Sequence, residues 1–139
     1  MKKRKTVIPV ILLIIFLVIL GFLSFIFFNN MKKETKGNFS TDLTKMGETI
    51  YKDYYYEITK VGKTDEELKN YLKKFETIGL SFNLVELAKY SDENFDKINE
   101  FLSDNDCSRE NTKVIIYPKD PFRKIDFDLE VKIDCEEKK

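Results

Sequence analysis

The stretch Ile125-Asp-Phe-Asp-Leu-Glu-Val-Lys-Ile-Asp-Cys135 alternates strictly between apolar and charged or polar residues. Successive side chains of an extended strand point to opposite faces, so this spacing predicts a strand with Ile125, Phe127, Leu129, Val131, Ile133 and Cys135 on one face. Asp126, Asp128, Glu130, Lys132 and Asp134 take the other face. Just upstream, Lys113-Val-Ile-Ile-Tyr117 is β-branched and aromatic, and Pro118 stops it. Between the two lies Lys119-Asp-Pro-Phe-Arg-Lys124, whose Pro121 pre-sets a bend. An antiparallel hairpin is the simplest connection.

That hairpin also orders the cysteines. If Pro118 lies opposite Ile125, facing positions sum to 243, and Cys107 and Cys135 sum to 242. The two cysteines are thereby predicted to meet at the open end of the hairpin as a structural disulfide. Such a bond persists in an oxidising compartment. The separation does not resemble the C-x-x-C spacing of a redox pair.

Upstream of the hairpin the apolar period changes from two to about 3.6. Leu43, Met46, Ile50, Tyr54, Ile58 and Val61 recur at three- and four-residue steps, which predicts a helix over 42–61 capped by Ser40 or Thr41 and closed by Gly62. Tyr51 and Tyr55 widen the stripe and Tyr56 points elsewhere; the tyrosines are read as packing with hydroxyls at the rim, the alternative being a contact surface. Thr64-Asp-Glu-Glu67 is a capping box for a helix over 65–77. Residues 80–90 are ambiguous between strand and helix: Leu80-Ser81-Phe82 can form a short extended stretch, and Asn83 with Glu86 can cap a brief helix over 84–90. Ser91 opens a further helix to about 103, with Phe95, Ile98, Phe101 and Leu102 inward. The fold class predicted for residues 41–139 is therefore α+β, several helices packed on a C-terminal antiparallel hairpin.

Residues 7–28, VIPVILLIIFLVILGFLSFIFF, carry no charge. At 1.5 Å per residue they make about 33 Å of helix, enough for a hydrocarbon core of about 30 Å. The run is longer than a signal-peptide core and ends in bulky residues rather than a small-residue cleavage site, so it reads as an uncleaved signal-anchor. Lys2, Lys3, Arg4 and Lys5 precede it, against Lys32, Lys33 and Lys36 after it. The positive-inside preference puts residues 1–6 in the cytoplasm, residues 29–40 in a juxtamembrane linker broken by Gly37, and residues 41–139 outside the cell membrane. The span itself holds no ionisable residue, which gives no support to transport or proton relay.

Beyond residue 30 the chain has 20 basic and 24 acidic residues, so the electrostatic footprint of a nucleic-acid binder is missing. Twenty-one lysines against three arginines, with abundant Ile, Asn, Phe and Tyr, point to an AT-rich, bacterial coding sequence. Histidine is absent, which removes Ser-His-Asp, Cys-His and His-metal chemistry. No Gly-rich phosphate loop is present. Asp126, Asp128 and Glu130 read as a solvated strand face, and Asp104-Asn105-Asp106 lacks the glycine and distal glutamate of a calcium loop. No catalytic residue, cofactor or metal ligand is assigned. The expected partners are the membrane, through residues 7–28, and another envelope protein or a second copy of the chain. In its order of hydrophobic helix, helical segments, C-terminal strands and cysteine pair, the chain resembles type IV pilin-like proteins. Those proteins have a glycine at the processing site and a glutamate five residues into the hydrophobic run. The stretch from Lys5 to Ile11 has neither, and no residue roles are carried over.

Overall fold

The computed structural model describes residues 4–136, without the side chains of 4–10, 12, 29 and 32–35. The N-terminal basic cluster lies outside the described residues or side chains. The chain divides into two units, Met1–Asn38 and Phe39–Lys139.

In the first unit the backbone is helical, as the opening part of α1 (Arg4–Thr49). The described large apolar side chains between Ile11 and Phe28 are between 42% and 66% exposed. Among the described residues no helix is long and apolar enough to cross a membrane. The unbroken run of described side chains there is 13–28, about 24 Å of helix; the uncharged run of the sequence begins at Val7.

The second unit is α+β. From Phe39 onward α1 buries Phe39, Leu43 and Met46. A π-helical segment (Ile50–Tyr55) and α2 (Tyr56–Lys60) continue it, and Gly62 with φ 74° ends the run. Then follow α3 (Asp65–Lys73), β1 (Leu80–Asn83), α4 (Leu84–Tyr90), α5 (Asp92–Asp104), β2 (Lys113–Pro118) and β3 (Phe127–Lys132). The expected helix start at Ser40 or Thr41 does not occur, because α1 is already helical there. The hydroxyl of Thr44 donates to the Ser40 carbonyl one turn back, as in a helix interior. The polar stretch 29–40, Gly37 included, is likewise helical rather than a broken connector.

Three predicted starts are formed as the sequence implies. Thr64 and Glu67 exchange the two hydrogen bonds of a capping box, Asn83 and Glu86 do the same, and Ser91 accepts from the Asn94 N–H. The 80–90 ambiguity resolves into both alternatives in succession, a strand and then a helix. The helix predicted over 65–77 stops earlier, at Lys73, and a series of turns leads to Gly79 with φ 73°.

The sheet is antiparallel, with order β1-β2-β3. The hairpin is therefore part of a three-stranded sheet with β2 at its centre. Val114 and Ile116 are buried on the core face, while Ile115, on the opposite face, is buried beside Gly79, whose added Cβ would strike Ile115 and Tyr117. Pro118 pairs with Phe127 and not with Ile125. The register thus differs by two residues from the simplest estimate, and an even shift leaves every side chain on its predicted face. Phe127, Leu129 and Val131 pack partly buried against the core, while Ile125 lies before the strand and is 66% exposed. Within the connecting turn, the Arg123 guanidinium forks onto the Asp126 carboxylate at 2.7 and 3.1 Å. Phe122 sits there with φ 63° and is buried on Leu68 and Leu72. A left-handed residue is strained by about 1–2 kcal/mol, which burial of a phenylalanine, about 1.5–3 kcal/mol, offsets.

Cys107 and Cys135 face each other in an isolated antiparallel bridge, with their sulfurs at disulfide distance. Between this bridge and the Lys113–Lys132 pair, one strand side has three residues more than the other. Residues 108–112 absorb them as a turn anchored on Thr112, which is fully buried. Thr112 Oγ1 accepts from the Asp134 N–H at 3.0 Å, and the Thr112 carbonyl accepts from the Leu84 N–H at 3.2 Å.

The core joins α1, the sheet, α4 and α5. Phe39 stacks on Phe101 with ring centroids 3.6 Å apart. Gly47 sits directly over Val114, and a Cβ at Gly47 would collide with the valine side chain. Alanine is favoured over glycine in a helix interior by about 1 kcal/mol, but overpacking a buried site costs about 1–3 kcal/mol. Gly47→Ala is therefore expected to lower unfolding stability by about 1–2 kcal/mol in a denaturant titration; a gain would show that α1 and β2 are not in close contact. The cysteine pair encloses a sequence separation of 28, for which loop-closure entropy predicts about 3–4 kcal/mol. Reduction, or the paired change Cys107→Ser and Cys135→Ser, should lower stability by that amount. Two equivalents of thiol reagent taken up by a denatured, non-reduced sample would show that the bond is not formed.

Candidate functional site

The described acidic residues do not assemble into a site. Asp126 is engaged by Arg123, whose guanidinium holds its carboxyl below the usual carboxylate range. Asp128 pairs with Lys119, and Glu130 accepts from the Tyr117 hydroxyl at 3.0 Å. The three acids singled out on the strand each have their own partner. Among the described residues no group of three or more potential ligands converges on a metal position.

The feature with the shape of a site is aromatic, and it arises from the π segment. In α-helical geometry the stripe through Ile50 would continue at Tyr54, Ile58 and Val61. These are instead 55%, 56% and 76% exposed. A π turn takes up one extra residue, which rotates the following residues by about 100°. The inward positions become Tyr51, Tyr55, Tyr56 and Thr59. Tyr51 is fully buried, not at the rim as the sequence suggested. Its ring meets Phe127 edge to face at 5.1 Å, and its hydroxyl has no hydrogen-bond partner. Burial, followed by the charges of Tyr56 and Asp126, drives its ionisation well above the ordinary value of 10. Tyr55 is raised in the same sense, by burial and by its 3.1 Å hydroxyl–hydroxyl contact with Tyr71 of α3.

The same rotation leaves Tyr54 facing outward beside α4. Between the π segment, β1 and α4 lies a cleft of about 610 Å³. Ile50, Tyr55 and Phe82 are its less exposed lining, and Tyr54 and Tyr90 stand at its mouth. Tyr54 and Tyr90 meet edge to face at 6.1 Å, and Tyr55 and Phe82 at 6.0 Å. Glu86 and Lys89 of α4 supply the charged part of the wall. The sequence marks Glu86 only as a helix cap and gives no signal for Phe82, Lys89 or Tyr90. Their convergence depends on β1 pairing with β2, a contact between residues 30 to 36 positions apart. Cys107 and Cys135 lie at the β2–β3 end and are not among the residues lining this cleft.

No protein family, curated protein or solved structure matches the chain. The outline shared with type IV pilin-like proteins thus rests on the order of elements alone.

Tyr51 yields a test of this geometry. Removing a buried hydroxyl that lacks a partner should stabilise the fold, so Tyr51→Phe is expected to add about 1–2 kcal/mol. Its raised ionisation means the native state holds the neutral phenol. That stability is complete below pH 10, the unfolded value, and is lost as pH rises beyond it. Tyr51→Phe should therefore also blunt alkaline unfolding in a pH titration followed by circular dichroism. Destabilisation by the substitution would mean that the hydroxyl is paired.

Proposed function

We propose that this chain is a single-pass, membrane-anchored protein whose domain acts outside the cell membrane as an interaction or accessory module. The observation that carries the reading is the 22-residue uncharged run on α1, whose described side chains are left exposed while residues from Phe39 onward bury their own core. Water disfavours such a helix at about 25 cal/mol per Å² of apolar surface, and a bilayer removes that penalty. Four basic residues before the run against three after it favour a cytoplasmic N-terminus. A cysteine pair at disulfide distance adds to that orientation, because such bonds persist in oxidising compartments. Binding rather than catalysis is favoured by the absence of histidine and by strand acids that are each engaged by a neighbouring side chain. The aromatic cleft is the surface best suited to contact, and another envelope protein or a second copy is the partner class.

A pilin-like structural subunit is the second reading. It is favoured by one observation: the part of α1 from Phe39 to Thr49, downstream of the apolar run in the sequence, buries its side chains in an α+β core. An N-terminus that is clipped and N-methylated would select it, and an intact N-terminus would select the tethered module.

The full chain should stay with membranes through alkaline carbonate extraction, and deletion of residues 7–28 should release it. Protease added to intact cells should remove the domain. Crosslinking in cells, followed by mass spectrometry, should capture an envelope protein in preference to cytosolic ones. Recovery of the full chain in the carbonate supernatant, or complete protection from external protease, would sink the anchored and outward-facing reading.

A further inference from the structure

The cleft has features that packing alone does not require. Tyr54 and Tyr90 remain 55% and 37% exposed although their rings meet. The volume of about 610 Å³ falls within the range of small-molecule sites, about 300–1,000 Å³. Its wall carries two charges of opposite sign three residues apart on one helix, Glu86 and Lys89. Residues at that spacing are neighbours, with Cβ atoms about 5–6 Å apart. Glu86 commits Oε2 to the Asn83 N–H, and neither Glu86 nor Lys89 forms an ion pair among the described residues.

Aromatic faces attract cations, and weakly hydrated quaternary ammonium groups best of all. Tyr54, Tyr55, Phe82 and Tyr90 put four aromatic rings on the lining of the cleft, in two edge-to-face pairs, and the Glu86 carboxylate adds a negative charge. Lys89 supplies the complementary charge for an anion on the same ligand. We infer that the cleft binds a small zwitterion of the phosphocholine type, its alkylated ammonium among the aromatic rings beside Glu86 and its phosphate on Lys89. This inference rests on the reading of the domain as a binding module and names its ligand. Both a free phosphocholine ester and a lipid headgroup carry the chemistry.

The test uses the full chain in a choline-free maltoside detergent, titrated with phosphocholine and followed by equilibrium dialysis and by tyrosine fluorescence. The chain has no tryptophan to obscure that signal. Saturable one-to-one binding is expected, with choline and inorganic phosphate each weaker. Glu86→Gln keeps the helix cap, since glutamine serves at that position, and should weaken phosphocholine by about tenfold or more, as for loss of a charged contact. Lys89→Gln should reduce phosphocholine to the affinity of choline and leave choline unchanged. Glycerophosphocholine bound as tightly as phosphocholine indicates a lipid headgroup, and a preference for the monoester indicates the free solute. Absence of saturable binding at millimolar ligand, or an affinity unmoved by Glu86→Gln, overturns the inference. If an envelope protein is still crosslinked in that case, the interaction-module reading stands without this ligand; if none is, both readings fall.

Discussion

The close approach of α1 to β2 at Gly47 and Val114 is the constraint on which the rest of the domain depends. With no Cβ on the helix, its backbone can settle against a fully buried β-branched side chain. That contact seats Leu43, Met46 and Ile50 over the apolar face of the sheet. The strand it rests on, β2, is the middle one of the sheet, with a partner on each side and three consecutive buried side chains. A wider helix–sheet gap would leave these residues without the dense packing that stabilises a core of this size.

From that contact the helix cannot continue unaltered. A regular α-helix past Ile50 would bring Tyr54, Ile58 and Val61 to the sheet side and leave Tyr51 and Tyr55 at the edge of the stripe. The π segment reverses the choice, burying Tyr51 and half-burying Tyr55 while Tyr54, Ile58 and Val61 are left exposed. The exchange has a local penalty, because the Tyr51 hydroxyl is enclosed without a partner. It also has a product, since Tyr54 is swung to the mouth of a cleft that β1 and α4 complete. Packing of the core and the shape of the candidate site therefore share one cause. The charges follow a different rule. Arg123 with Asp126, and Lys119 with Asp128, lie on exposed turns and strand faces. Pairs in such positions contribute little to stability, about 0–1 kcal/mol each. Their main consequence is to occupy acids that would otherwise suggest a metal site.

Much of the local structure was legible because it depends on near neighbours. Thr64 with Glu67 and Asn83 with Glu86 are short-range hydrogen-bond exchanges, so both capping boxes could be read from spacing. The alternation at 127–132 identified β3 and its faces, and the meeting of Cys107 with Cys135 followed from hairpin geometry despite a register two residues away from the estimate. The third strand was not decidable, because four residues at 80–83 have no period long enough to distinguish strand from helix without a partner. The π segment was invisible for a related reason. Ile50, Tyr54 and Ile58 fit a 3.6-residue period, and only the packing of neighbouring elements favours the shifted face.

Taken by itself, the sequence determined the uncharged N-terminal run, the α+β class, the helix starts at Thr64, Asn83 and Ser91, the strand faces and the cysteine pair. Each is a property of composition or of contacts over a few residues, or of one hairpin. The tertiary structure alone decided that β2 is central, that Tyr51 is buried while Tyr54 is not, and that Tyr54, Phe82, Glu86, Lys89 and Tyr90 line one cleft. Those outcomes turn on which surfaces exclude water together. Residues brought together from separate elements far apart in the chain carry no periodic signal of that meeting.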